Sequence, residues 1–167
     1  SLVPLMTLRH FRRAGHQVIV LIGGATGLIG DPSGKSEERN LETIDTVKAR
    51  GLSMQAQIEG FLSAGDGPPP KFVNNIDWLG EFRLLDFLRD IGKHFRVNQM
   101  VRKEAIAARL ESQEGISYTE FSYQLLQALD YLHLYRHFGC TLQTGGSDQW
   151  GNIVNGIDLT RRVLDNQ

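Results

Sequence analysis

The chain has 167 residues, of which 41% are hydrophobic and 22% charged, and its formal net charge is -1. That length suits one domain with a real core, and the near-zero charge gives no overall basic footprint for nucleic acid. No apolar run approaches the ~20 residues of a membrane span, and with Cys140 as the single cysteine there is neither an intrachain disulfide nor a Cys-rich metal site.

Leu2 to Ala14 reads as an amphipathic helix that stops at Gly15, with Arg9, Arg12 and Arg13 near its C-terminal end. These three arginines are read as a solvated helix end. The opening residues lack the length and the basic lead-in of a secretory signal. Val18 to Ile22 is a continuous apolar, β-branched run, the mark of a strand buried on both faces in a parallel sheet. A glycine-rich loop occupies Gly23 to Ser36. Glu42 to Ala64 has helical period, and Gly65-Asp66-Gly67-Pro68-Pro69-Pro70 is an exposed connection. A second strand begins at Phe72-Val73 and runs into Asn74-Asn75. Helices are expected over 81–91, 98–110 and 118–138. Thr141 to Thr144 reads as a short strand, Gly145-Gly146-Ser147 as a turn, and Gln149 to Leu164 as a closing helix. Helices alternating with short strands imply an α/β fold: a mostly parallel, Rossmann-like sheet flanked by helices on both faces.

Three segments carry chemistry. In Gly23 to Lys35, a glycine-rich turn after a buried strand lets backbone approach a ligand closely. Gly24, Gly27 and Gly30 give GxxGxxG, and Gly34-Lys35-Ser36 resembles the end of a P-loop. A P-loop needs a glycine where Ile29 stands. Asp31 is a poor neighbour for pyrophosphate and a better one for an ammonium group. In the second segment, Tyr123, Gln127 and Asp130 fall at i, i+4 and i+7, one stripe of a helix otherwise rich in leucine. A phenol, an amide and a carboxylate among apolar residues call for polar partners if buried; the same stripe also fits the solvated face of an amphipathic helix. In the third, Gly145 to Asn152 joins a strand to a helix with Ser147 or Asp148 as a cap, a position that either binds a ligand or simply closes a junction. His133 and His137, one turn apart, lack a third donor and read as surface histidines, not a metal site.

Taken together and in this order, GGATGLIGDPSGKSEER, LRDIGKHFRVN, ISYTEFSYQLLQALDYL and CTLQTGGSDQWGNI closely resemble the bacterial tyrosyl-tRNA synthetases. The likeness covers nearly the whole chain and is loose only over 40–70. It implies a class I synthetase catalytic domain, here spanning 1–167 as a partial nucleotide-binding domain with the helical connective and dimer region. The implied reaction activates L-tyrosine with ATP, accompanied by Mg2+, to tyrosyl-adenylate and then charges tRNA(Tyr). The resemblance implies that Asp31, Tyr123 and Gln127 hold the tyrosine α-ammonium with Asn75 in support, and that Asp130 accepts the substrate phenol. It implies further that Gln149 and Asp148 reach the carboxylate and ribose, that Gly146 admits the ribose, and that Lys35 and Arg39 steady pyrophosphate as the catalytic cations. It also implies a cytoplasmic homodimer, with Ile116-Ser117-Tyr118-Thr119 near the interface, and no membrane attachment.

The family's HIGH-type motif is expected before Leu2, with Ser1 where its last histidine would fall, and the KMSKS-type loop and anticodon-reading parts after Gln167. On that reading the chain is a piece of a longer enzyme and makes no tyrosyl-adenylate alone. Two rivals remain at this point. An NAD(P)-dependent oxidoreductase would use GxxGxxG but leaves the helix stripe and the GGSDQWGN turn unexplained, and a non-catalytic interaction module would explain the absent motifs.

Overall fold

The computed structural model describes residues 2–32, 42–113 and 115–165. The first helix, α1 (Leu2–Arg13), carries His10, Arg12 and Arg13 in its last turn, where the helix dipole favours cations. It leads into β1 (Ile19–Ile22), followed by the short α2 (Thr26–Ile29) and the long α3 (Ile44–Leu62). Thr43 caps α3, its hydroxyl accepting from the Thr46 N–H at 3.3 Å. The chain then returns through β2 (Lys71–Asn74), which pairs parallel to β1 with Ile19 opposite Lys71 and Ile22 opposite Asn74. A parallel pair needs a long crossover, and α3 supplies it. Val18, Val20, Ile22 and Leu62 form a buried cluster that Leu8 and Phe11 of α1 and Ile58 and Phe61 of α3 cover.

Arg12 corrects the expectation of a solvated helix end. It is only 5% exposed. Its guanidinium donates to the carbonyls of Leu62 (2.6 Å), Pro68 (2.8 Å), Gly65 (3.0 Å), Gly67 (3.1 Å) and Ala64 (3.4 Å). Five planar donors suit this ring of acceptors, which leaves the buried charge fully hydrogen-bonded. Gly67 sits at φ +115°, and a Cβ there would collide with the Arg12 carbonyl.

The remaining helices are α4 (Ile76–Leu79), α5 (Leu84–Asp86), α6 (Val97–Met100), α7 (Glu104–Leu110), α8 (Tyr118–Phe138) and α9 (Trp150–Leu164). A π-helical turn at Phe87–Ile91 and a 3₁₀ turn at Gly92–His94 follow α5. The helix expected over 81–91 therefore starts at Leu84 and widens without a break into a π turn, and both Phe87 and Ile91 join the second core cluster, built on Ala128, Leu129, Leu132 and Leu159. The helix expected over 98–110 is split at 101–103. There Lys103 turns away to donate to the Asn155 amide oxygen on α9.

Helix α8 matches its expected limits because both ends are capped. Ser117 accepts from the Glu120 N–H at 3.3 Å, and Gly139 ends the helix in the left-handed region at φ +63°. It packs along α9, where Gly156 meets Tyr131 so closely that a Cβ would lie 2.7 Å from the Tyr131 Cβ. The strand expected at 141–144 does not form. Among the described residues the sheet has two strands, β1 and β2, and neither pairs with that segment. No helix among the described residues is long and apolar enough to cross a membrane.

Candidate functional site

The site lies where β1 and β2 end, the usual ligand position of an open parallel sheet. Asn75, the first residue past β2, is fully buried. Its amide oxygen accepts from the Ala25 N–H at 2.8 Å, and its amide nitrogen donates to the Thr26 hydroxyl and to Asp130 Oδ2, both at 2.9 Å. One side chain thus ties the glycine-rich loop, the end of β2 and the middle of α8. Asn74 works beside it, its Oδ1 accepting from Gly24 and Ile76 N–H groups, each at 3.1 Å. Gly24 has no room for a Cβ against that amide. Because Gly24 and Ala25 N–H groups are taken by asparagine side chains, the loop does not offer them to a pyrophosphate as a dinucleotide fold would.

Asp130 is 2% exposed. Besides Asn75 it receives the Trp78 indole N–H at Oδ1, 2.8 Å away. Burial pushes its carboxyl up to about 7, against the pull of the Asn75 and Trp78 hydrogen bonds toward ionisation. Each carboxylate oxygen carries two lone pairs, so a further donor can still be accepted. Trp78 was not read from the sequence. The available signal was the Asn75–Trp78 spacing, one helical turn at a strand end, which places both on the side of α4 facing α8.

The other stripe residues meet a second set. The Gln127 amide donates to Gln149 Oε1 at 3.1 Å, and Gln149 Nε2 donates to Asp31 Oδ2 at 2.8 Å and Asp148 Oδ2 at 3.0 Å. Asn152, also missed from the sequence, donates to Gln149 Oε1 at 3.2 Å. Asp31, Gln127, Asp148 and Gln149 therefore form one polar row between the loop, α8 and the start of α9. The stripe is not a solvated face: Tyr123 and Gln127 are half-buried and Asp130 is buried. Tyr123 and Asp31 line a cleft of about 580 Å³. The cleft extends along β1 and α2 to Val47 and Gly51 of α3 and stops short of Asp130 and Gln149. Its size suits a small ligand. Gly146 and Asp148 are exposed at the mouth of the turn. Lys35 and Arg39 lie outside the described residues.

Of the two expected surface histidines, His137 is exposed but His133 is half-buried, its ring stacked on Trp78. Among the described residues no group of three or more His, Cys, Asp or Glu side chains could hold a metal ion.

Comparison with known proteins follows the same lines. The family model described as tRNA synthetases class I (W and Y) matches residues 1–167. A tyrosine–tRNA ligase of Aeromonas hydrophila is 57% identical over 164 residues, covering 97% of this chain and 39% of that protein. One from Leifsonia xyli is 56% identical over 163 residues, covering 98% of this chain and 37% of that protein. The chain thus spans well under half the length of these relatives. A C-terminally truncated mitochondrial tyrosyl-tRNA synthetase of Aspergillus nidulans superposes with a TM-score of 0.86 at 34% identity, covering 99% of this chain and 49% of that one. Its counterpart from Coccidioides posadasii gives 0.81 at 28% identity, covering 99% of this chain and 47% of that one.

Proposed function

Because the chain belongs to the family of class I tRNA synthetases for tryptophan and tyrosine, we propose that it is the tyrosine-selecting part of a tyrosine–tRNA ligase. The observation that carries this reading is Asp130: a buried carboxylate held by two neutral donors and, among the described residues, by no counter-ion, one helical turn from Gln127. Such a group is suited to accept a hydroxyl from a ligand of similar burial.

On this reading the substrate phenol donates to Asp130, and the α-ammonium enters the acceptor set of Asp31, the Tyr123 hydroxyl and the Gln127 amide oxygen. Gln149 now bridges Asp31 and Gln127; the ammonium takes over part of that bridge, freeing the Gln149 amide to face the carboxylate. Asn75 keeps Asp130 and the loop in register. Asp148 and Gly146 stand where the ribose of ATP approaches, and Lys35 and Arg39 supply cations to the leaving pyrophosphate. The tyrosine carboxylate attacks the α-phosphate, pyrophosphate leaves, and the adenylate then passes its tyrosyl group to the tRNA. Mg2+ arrives with the ATP phosphates. Rate enhancement of this kind rests on positioning and charge stabilisation. The exposed Tyr118 at the start of α8 belongs, on the same reading, to a homodimer surface, and the enzyme is cytoplasmic.

The test is tyrosine-dependent ATP–pyrophosphate exchange by the intact gene product, with phenylalanine as competitor. Exchange with tyrosine, and loss of discrimination in Asp130→Ala, is the expected result. A buried acceptor built for a hydroxyl goes unpaired when phenylalanine binds; that penalty is already established for tyrosine-activating enzymes as a class. Failure of the wild-type protein to exchange with tyrosine, or unchanged discrimination in the variant, would remove the reading.

A further inference from the structure

The Trp78 indole is gripped by two residues of α8 that lie one turn apart. Asp130 holds its edge through the 2.8 Å hydrogen bond to Nε1. His133 covers its face, with ring centroids 4.2 Å apart and planes within 10°. The His133 ring also neighbours His137, 4.3 Å away and tilted by 30°, and Phe138 stands 6.0 Å from it. A hydrogen bond fixes where one indole atom lies but leaves the ring free to rock about that contact, because the torsion at a ring junction is broad. A stacked neighbour removes the rocking.

We propose that His133 is a positioning residue for substrate selection: by stacking on Trp78 it fixes the line along which the indole N–H meets Asp130. The proposal rests on the reading of Asp130 as the acceptor of the substrate hydroxyl. It makes selectivity depend on a side chain that touches neither the substrate nor the carboxylate. Burial and the neighbouring His137 hold the His133 imidazole below its ordinary pKa, so the ring acts at neutral pH as an uncharged plate. An aromatic ring without nitrogen therefore serves in its place.

The experiment compares His133→Ala with His133→Phe in the intact gene product. It reads kcat and KM for tyrosine, the ratio of kcat/KM between tyrosine and phenylalanine, and the near-ultraviolet circular dichroism of the indole. Losing one aromatic stack is expected to raise KM for tyrosine and lower the ratio about three- to tenfold in His133→Ala, with kcat at saturating tyrosine kept and the indole band weakened. His133→Phe should restore KM, ratio and band. Wild-type KM and ratio in His133→Ala would overturn the proposal. So would a folded His133→Phe protein that keeps the indole band yet loses selectivity, since the imidazole would then act through its nitrogens. If His133→Ala does not fold, the His133→Phe result decides alone. Absence of tyrosine activation by the wild-type protein would instead sink the functional reading, while the indole band would still report the stack.

Discussion

Helix α8 carries two buried carboxylates that are treated in opposite ways. Glu120, near its start, is 2% exposed and paired with Arg109, itself 3% exposed, at 2.9 Å; Arg109 also donates to the Gly115 carbonyl at 3.2 Å. Asp130, ten residues on and equally buried, is held among the described residues by the amide of Asn75 and the indole of Trp78, with no ion pair. A counter-ion settles a buried charge and spends it. Neutral donors leave the charge only partly settled, and a ligand can complete it. The difference separates a carboxylate that joins α7 to α8 from one that remains available for recognition.

The largest effect is expected from undoing the settled pair. Glu120→Ala leaves the Arg109 guanidinium buried without its partner and should cost about 3–5 kcal/mol in urea unfolding. A loss under 1 kcal/mol would mean water reaches Arg109 and the contrast is false. Next comes Asp130→Asn. Burial raises the Asp130 carboxyl to about 7 in the fold, well above the ordinary carboxylate range, so the folded state holds its proton more tightly. Its contribution to stability is therefore fully present below about pH 4 and is lost as pH rises through about 7. The Asn variant should lack this decline, a difference of up to about 4 kcal/mol across that window. Identical pH–stability curves would show Asp130 to be as settled as Glu120. Trp78→Phe removes one of the two donors at a cost of about 1.5–3 kcal/mol and should drive the Asp130 carboxyl above 7, a shift readable by carbon NMR titration. Smallest is Ser117→Ala, which removes the α8 cap for about 1 kcal/mol. That variant should leave the Asp130 titration where it was, because Ser117 bonds the Glu120 backbone and not Asn75 or Trp78.

The two carboxylates also mark how far the sequence could be read. Composition and period were enough for α1, α3, α8, α9 and the β1–β2 pair, because each is set by local pattern, caps and the crossover. The row Tyr123, Gln127, Asp130 was legible as a stripe because helical spacing alone puts those residues on one side. That the stripe was buried was not legible, since burial is decided by α4 and by Asn75, far away along the chain. The Arg109–Glu120 pair escaped for the same reason: eleven residues and a turn at Gly115 separate the partners. The stack of Trp78 on His133 was hidden because a ring contact between two helices has no period. The π turn within 81–91 and the split within 98–110 show tertiary packing modifying a good local pattern, in the first through Ile91 and in the second through Lys103. The segment 141–144 has strand composition but pairs with no strand among the described residues.

Arg12 has a consequence for how the chain avoids mispairing. Parallel strands this short are easily offset by one residue, and an offset here would turn the buried side chains outward. The guanidinium gathers carbonyls from the end of α3 to the doorstep of β2, so sliding β2 along β1 would tear Gly65, Gly67 and Pro68 from their donor. A single cation in the first helix thus acts as an alignment pin for a strand that begins nearly sixty residues later. It does so from outside the ladder it protects.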